Sequence, residues 1–178
     1  MKYQPLAIAD VVLMTPQVFG DERGFFMETF RQNEFEKHCG KYSFVQDNHS
    51  KSRRGILRGL HYQLKQPQGK LVRVTQGRVF DVAVDLRQDS PTFGDWVGVE
   101  LSDENRQMLW VPPGFAHGFV GLDNENIVVY HCTQYRDKKS ETGIKWNDKT
   151  INIKWPAKKP KISNKDSKNI SFESFTNL

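Results

Sequence analysis

The chain has 178 residues, which suits one domain over 1–178 and leaves too little sequence for a second core of ordinary size. Hydrophobic residues make up 37%, charged residues 26% and aromatics 12%, so a core is available and a disordered chain is excluded. Lys and Arg number 26 against 21 Asp and Glu, a balance that favours an anionic partner without choosing among a phosphorylated metabolite, a nucleic acid and a membrane surface.

The opening segment, MKYQPLAIADVVLMTPQ, is interrupted by Asp10 and lacks the continuous apolar run of a signal peptide. No later stretch approaches the roughly 18 to 20 apolar residues of a membrane span. Cys39 and Cys132 stand far apart with no CxxC, which implies neither a disulfide framework nor a redox pair and makes a reducing cytoplasm the expected location. A short helix is expected at 33–39, where Asn33 followed by Glu36 gives a capping signal. The run QDNHSKSRRGILRGLHYQ at 46–63 then gathers His49, Arg58 and His61 around glycines that let backbone approach a ligand.

From residue 70 onwards short β-rich runs dominate: KLVRVTQ at 70–76, RVFDVAVDL at 78–86, WVGVEL at 96–101, QMLWVP at 107–112 and IVVYHCTQY at 127–135. In the second, Val79, Asp81, Ala83 and Asp85 point one way and Phe80, Val82, Val84 and Leu86 the other. One face is therefore apolar, and the partly polar face meets solvent, a second sheet or a ligand cavity. PPGFAHGF at 112–119 places His117 after a Pro-Gly turn, and Tyr130 sits within an apolar strand. The basic run 157–168 reads as solvated surface, and the tail after Pro156 has room for another short helix. Strands every ten residues or so with few helices indicate a mainly β fold, a jelly-roll barrel that hides its strand edges.

Several chemistries are tested and set aside by the same residues. PPGFAH fits the second half of the cupin metal signature, but the first half reads GLHYQ, with Tyr62 and Gln63 where ligands are needed. Two imidazoles without a carboxylate make a poor metal site, so a cupin barrel with no metal is expected. There is no GxSxG elbow, no GxxxxGK and no GxGxxG. What survives is acid and base chemistry by His, Tyr, Lys and Asp, suited to abstracting a proton from carbon next to a carbonyl. A non-catalytic sugar-nucleotide-binding cupin and a basic nucleic-acid-binding barrel are the competing classes. The second lacks a stacking platform interleaved with Lys and Arg.

Long stretches closely resemble the dTDP-4-dehydrorhamnose 3,5-epimerase family: VFGDERGFFMETF at 18–30, FVQDNHSKSRRGILRGLHYQ at 44–63, GKLVRVTQGRVFDVAVDLR at 69–87, SPTFGDWVGVELSDENRQMLWVPPGFAHGFVGL at 90–122, and IKWND with INIKWP near the end. The resemblance implies a double-stranded β-helix of the cupin type, no metal or organic cofactor, and a homodimer whose pockets borrow residues from the partner's N-terminal strands. It also implies a nucleotide-diphosphate sugar as substrate, with neither nucleic acid nor membrane as a partner. It makes His61 the base, Asp166 its paired carboxylate, Tyr130 the acid and Lys70 the group that stabilises the enolate. Substrate contacts carry over to Arg23, Glu28, Gln46, Asp47, Asn48, Arg58, His117, Glu141 and Lys165. The strand bearing Tyr130 departs from the family pattern, with His131 and Arg136 where a lysine and a tyrosine usually stand. That departure keeps open a monoepimerase of another nucleotide-linked 4-keto sugar.

Overall fold

Two antiparallel sheets face each other in the computed structural model, which describes residues 1–178. The first contains β1 (Lys2–Pro5), β2 (Val12–Thr15), β5 (Gln46–Ser52), β7 (Lys70–Gln76), β10 (Met108–Val111) and β12 (Asn126–Cys132), in the order β1-β2-β10-β7-β12-β5. The second contains β6 (Leu57–Gln63), β8 (Arg78–Asp85), β9 (Trp96–Ser102), β11 (Phe115–Gly121) and β13 (Glu141–Gly143), in the order β13-β6-β11-β8-β9. β3 (Val18–Asp21) and β4 (Gly24–Met27) form a separate ribbon. This is the expected mainly β jelly roll, of the cupin type.

Three apolar layers hold it together. Between the sheets lie Val72, Val74, Val79, Ala83, Leu109, Phe115, Phe119 and Val128. The outer face of the second sheet carries Leu60, Val82, Val84 and Ala116, covered by Ile151, Phe172 and Phe175 of the C-terminal segment. Outside the first sheet, Val12, Met14, Leu71 and Trp110 pack against Phe35. Both faces of the central strands are therefore dry, and every residue of β11 is buried. In β8, the face bearing Asp81 and Asp85 turns towards the opposing sheet, while Val82 and Val84 meet the C-terminal cover. Apart from Arg78 and Phe80 near its start, which are partly exposed, the strand is buried on both faces.

The helix α1 (Gln32–Cys39) corrects the expected capping. Arg31 occupies the N-cap without a side-chain bond, and Asn33 lies inside the helix. Eight residues are too few to be stable by propensity alone, so burial decides the boundary. Phe35 is fully buried and meets the Trp110 ring edge-on at 4.9 Å between centroids. The tail does hold a short helix, α2 (Phe172–Thr176), capped by the Ser171 hydroxyl accepting from Ser174 N–H at 3.1 Å. The strand expected at 127–135 ends at Cys132, beyond which the chain turns to form the rim of a cavity. No helix is long and apolar enough to cross a membrane.

Candidate active site

A cavity of about 520 Å³ opens at one end of the two sheets. Strand alternation selects which side chains enter it. On β5, Gln46 and Asn48 are half-buried and line the cavity, while Asp47 and His49 are exposed on the opposite face. β12 pairs Tyr130 with Asn48 on one side and Val72 on the other, bringing Tyr130 to the cavity wall. Lys70 opens β7 opposite Cys132, and His61 lies across from His117 on β11.

The approach of β6 to β11 beside His61 depends on glycine at both positions. Gly59 has φ +124°, and a Cβ there would stand 2.6 Å from Gly118 Cα and 2.8 Å from the His117 carbonyl oxygen. A Cβ on Gly118 would stand 2.7 Å from the Arg58 carbonyl oxygen. The ladder shifts register between His117 and Phe119, at this crowding.

His61 Nε2 lies 2.7 Å from Asp166 Oδ1. Asp166 is nearly buried, starts a 3-10 turn, and also accepts from Gly59 N–H at 3.3 Å and binds Ser163 through its own backbone N–H. Burial raises its carboxyl pKa, but the bond and charge of His61 and the Gly59 and Ser163 bonds outweigh that and leave it lowered. With Nε2 committed to Asp166, the other ring nitrogen of His61 is free to take a proton. Burial pushes the Tyr130 hydroxyl above its ordinary range, with Cys132 adding to the rise and Arg58 and Arg136 opposing it. Tyr130 accordingly keeps its proton and is suited to donating one. Burial pulls the Lys70 ammonium below its ordinary range, against the pull of Cys132, Asp81 and Glu141.

At the rim, Arg136 donates through Nε and Nη2 to Glu141 Oε2 at 3.0 and 2.7 Å, and Lys165 pairs with Glu141 Oε1. Burial raises the Glu141 pKa, and these two cations more than reverse it. The Arg136 backbone N–H reaches Gln46 Oε1 at 2.9 Å, and Asp137 N–H reaches Gln63 Oε1 at 2.9 Å, which fixes the rim loop. Arg58 is held by the Ser52 hydroxyl at 2.9 Å and by the Lys51 carbonyl.

Nine of the thirteen residues expected at the site line this one cavity: Gln46, Asn48, Arg58, His61, Lys70, Tyr130, Glu141, Lys165 and Asp166. Four do not. Arg23, at the tip of the β3–β4 ribbon, pairs with Asp21, and Glu28 pairs with Arg31. Asp47 pairs with His131 on the solvent face of β5 and β12. His117 is buried against Asp81. Alternation along QDN carries the signal that would have separated Asp47 from its neighbours. Lys161 and Ser163 also line the cavity, from a stretch whose lysines read as plain surface in the sequence. No three His, Cys, Asp or Glu side chains are grouped as a metal centre would need, since His61 and His117 each face their own aspartate.

The family model described as dTDP-4-dehydrorhamnose 3,5-epimerase matches residues 5–174. A Shigella flexneri protein of that name is 60% identical over 161 residues, 89% of each chain. Among solved structures, a Legionella pneumophila dTDP-6-deoxy-D-glucose-3,5-epimerase in complex with dTDP-4-keto-L-rhamnose superposes with a TM-score of 0.93 at 46% identity, covering 96% of this chain and 92% of the other. A 3'-monoepimerase from Streptomyces bikiniensis in complex with dTDP-quinovose superposes with a TM-score of 0.91 at 30% identity, covering 98% and 89%.

Proposed function

Because the chain belongs to the dTDP-4-dehydrorhamnose 3,5-epimerase family, and is thereby an isomerase acting on carbohydrates, we propose that it inverts C3 and C5 of dTDP-4-dehydro-6-deoxy-D-glucose to give dTDP-4-dehydro-L-rhamnose. The observation that carries this reading is the convergence on one cavity of a carboxylate-backed imidazole, a protonated tyrosine and a buried lysine. The C4 ketone acidifies the C–H bonds at C3 and C5 by spreading the resulting charge onto oxygen. His61 takes the proton from one face, and Asp166 orients the imidazole and stabilises the imidazolium. Lys70 meets the charge growing on the enolate oxygen. Tyr130 returns a proton to the opposite face, and repetition at the second carbon completes the double inversion.

The cationic rim suits the diphosphate. Arg58 binds only neutral acceptors and Lys161 joins no ion pair, so both retain their full charge for an anion. Arg23 and Glu28 belong to this reading through a second copy of the chain. Their ribbon stands outside the sheets and exposes Phe19, Phe25 and Phe26 at 56%, 57% and 69%, a surface that a homodimer would cover. Asp47 and His117 support the site from behind rather than by contact.

The test is incubation with dTDP-4-dehydro-6-deoxy-D-glucose in heavy water, followed by mass spectrometry of the recovered sugar nucleotide. Two deuterons, at C3 and C5, are expected. One deuteron would identify a monoepimerase, and none would overturn the catalytic assignment. Light scattering at micromolar concentration should give twice the mass of the chain; a monomer that turns over normally would remove Arg23 and Glu28 from the site.

A further inference from the structure

The strands of the β3–β4 ribbon pair only with each other, and its one ion pair, Arg23 with Asp21, is internal. Of its three exposed phenylalanines, Phe25 alone meets a charged group of the body: the Arg106 guanidinium lies over its ring, 4.3 Å from the centroid. A groove of about 690 Å³ separates β4 from the body elsewhere, lined by Phe25, Phe26, Arg73, Thr75, Asp103 and Arg106. The ribbon thus stands off from its own sheets, with Arg23 at its tip outside the cavity of its own chain.

The loop between β9 and β10 is shaped to present that guanidinium. Asn105 ties it with four bonds. Its Oδ1 accepts from Ser102 and Gln107 N–H, both at 3.0 Å, its own N–H donates to the Ser102 hydroxyl at 2.9 Å, and its Nδ2 donates to the Glu100 carbonyl at 2.9 Å. Gln107 then donates at 3.2 Å to the Thr15 hydroxyl, at the end of β2 just ahead of the ribbon. Arg106 stands between these anchors with φ +54°, a left-handed backbone that an arginine adopts where its surroundings impose it. Its Nε is buried without a partner, and the neighbouring Asp103 accepts from Gly77 N–H at 3.0 Å instead of pairing with it. The face of Phe25 is what the guanidinium has, and a flat cation is attracted to the negative face of a ring and stacks on it.

We propose that Arg106 is a positioning residue: through Phe25 it fixes the direction of the β3–β4 ribbon, so that Arg23 is presented already oriented to the cavity of a second copy of the chain. A ribbon fixed only where it joins the body would lose its freedom of direction at each encounter, and a prop on its shaft removes that cost in advance. The role in the shared site rests on the homodimer reading given above for Arg23; the prop itself rests on the geometry of this chain.

Backbone amide exchange over residues 18–27 of the full chain, together with the dissociation constant for dTDP by calorimetry, tests the proposal. Arg106→Met keeps the stem and removes the charge, and Phe25→Leu keeps an apolar side chain and removes the ring. In each, the ribbon amides are expected to exchange about three- to tenfold faster, the range one cation–π contact supplies, and the dissociation constant to rise by a similar factor. Exchange in the two sheets and the melting temperature should not move. Both substitutions remove one contact, so the double variant is expected to go no further than either single one. Arg106→Lys, which keeps a cation over the ring, is expected to restore most of both effects. Unaltered ribbon exchange, an unaltered dissociation constant, or additive effects of the two substitutions each overturn the proposal. Phe25 is exposed, so Phe25→Leu carries the test should Arg106→Met not fold. Arg23→Met is measured alongside. If it weakens dTDP binding while Arg106→Met does not, the shared site stands and the prop falls; if neither weakens it, the homodimer reading of Arg23 falls as well.

Discussion

His61 and Asp166 stand 105 residues apart and 2.7 Å from each other, and the value of each in the proposed reaction depends on the other. His61→Ala is expected to abolish deuterium uptake while leaving the circular dichroism spectrum unchanged; retained uptake would remove His61 as the base. Asp166→Asn keeps the shape but loses the charge that favours the imidazolium, so kcat should fall roughly 10²- to 10⁴-fold. At the rim, Arg136→Ala frees Glu141 of one cation and loosens the loop tied to Gln46, so KM should rise about tenfold with kcat little changed. Steady-state kinetics separates these outcomes, and a fall in kcat alone would place Arg136 in the chemistry instead. Sequence reasoning reached these residues unequally. His61 and Tyr130 stand out as polar groups in β-rich runs, whereas no periodicity links residue 61 to residue 166, and only family resemblance supplied that pair. The Asp81 contact of His117 was equally hidden, because a buried histidine and a ligand-binding one look alike in sequence.

Elements were legible where they are long and alternate, and illegible where tertiary packing overrides local preference. β7, β8, β9 and β10 follow the expected runs to within a residue at either end, while β12 stops three residues short of its run. β5, written QDNHSKS, has no apolar residue and is a strand because β12 offers it a full ladder. α1 was placed correctly but for the wrong reason, since Phe35 inserted beside Phe30, Phe44 and Trp110 fixes it rather than a cap. Phe35→Ala should therefore lower unfolding free energy by about 3–5 kcal/mol in a denaturant titration. A loss below about 1 kcal/mol would show that α1 does not depend on this plug. The loop after β8 depends on one carboxylate. Burial raises the pKa of Asp85, but Arg87, Ser90 and Thr92 more than offset it and hold it at about 2. A folded value below the unfolded one gives stability that is present above the ordinary carboxylate range and lost as pH falls through the folded value. Stability should thus drop by about 2 kcal/mol between roughly pH 4 and pH 2, and Asp85→Asn should remove that part of the acid dependence.

Across the whole molecule, three apolar layers bury the central strands of both sheets, and the one outside the second sheet is supplied by the C-terminal segment. Phe172 and Phe175 pack on the second sheet, Asn169 donates to the Gly59 carbonyl at 3.1 Å, and Asp166 reaches His61 from the same segment. The C-terminal cover therefore completes the core and brings Asp166 to His61. This has a consequence for synthesis on the ribosome. A chain that has emerged as far as β12 already carries His61, Lys70 and Tyr130, and can pair its strands, yet its imidazole has no carboxylate to hold it. On the proposed assignment, the His61–Asp166 pair forms only once this segment has emerged, so products terminated before it carry His61, Lys70 and Tyr130 without the carboxylate that orients the imidazole.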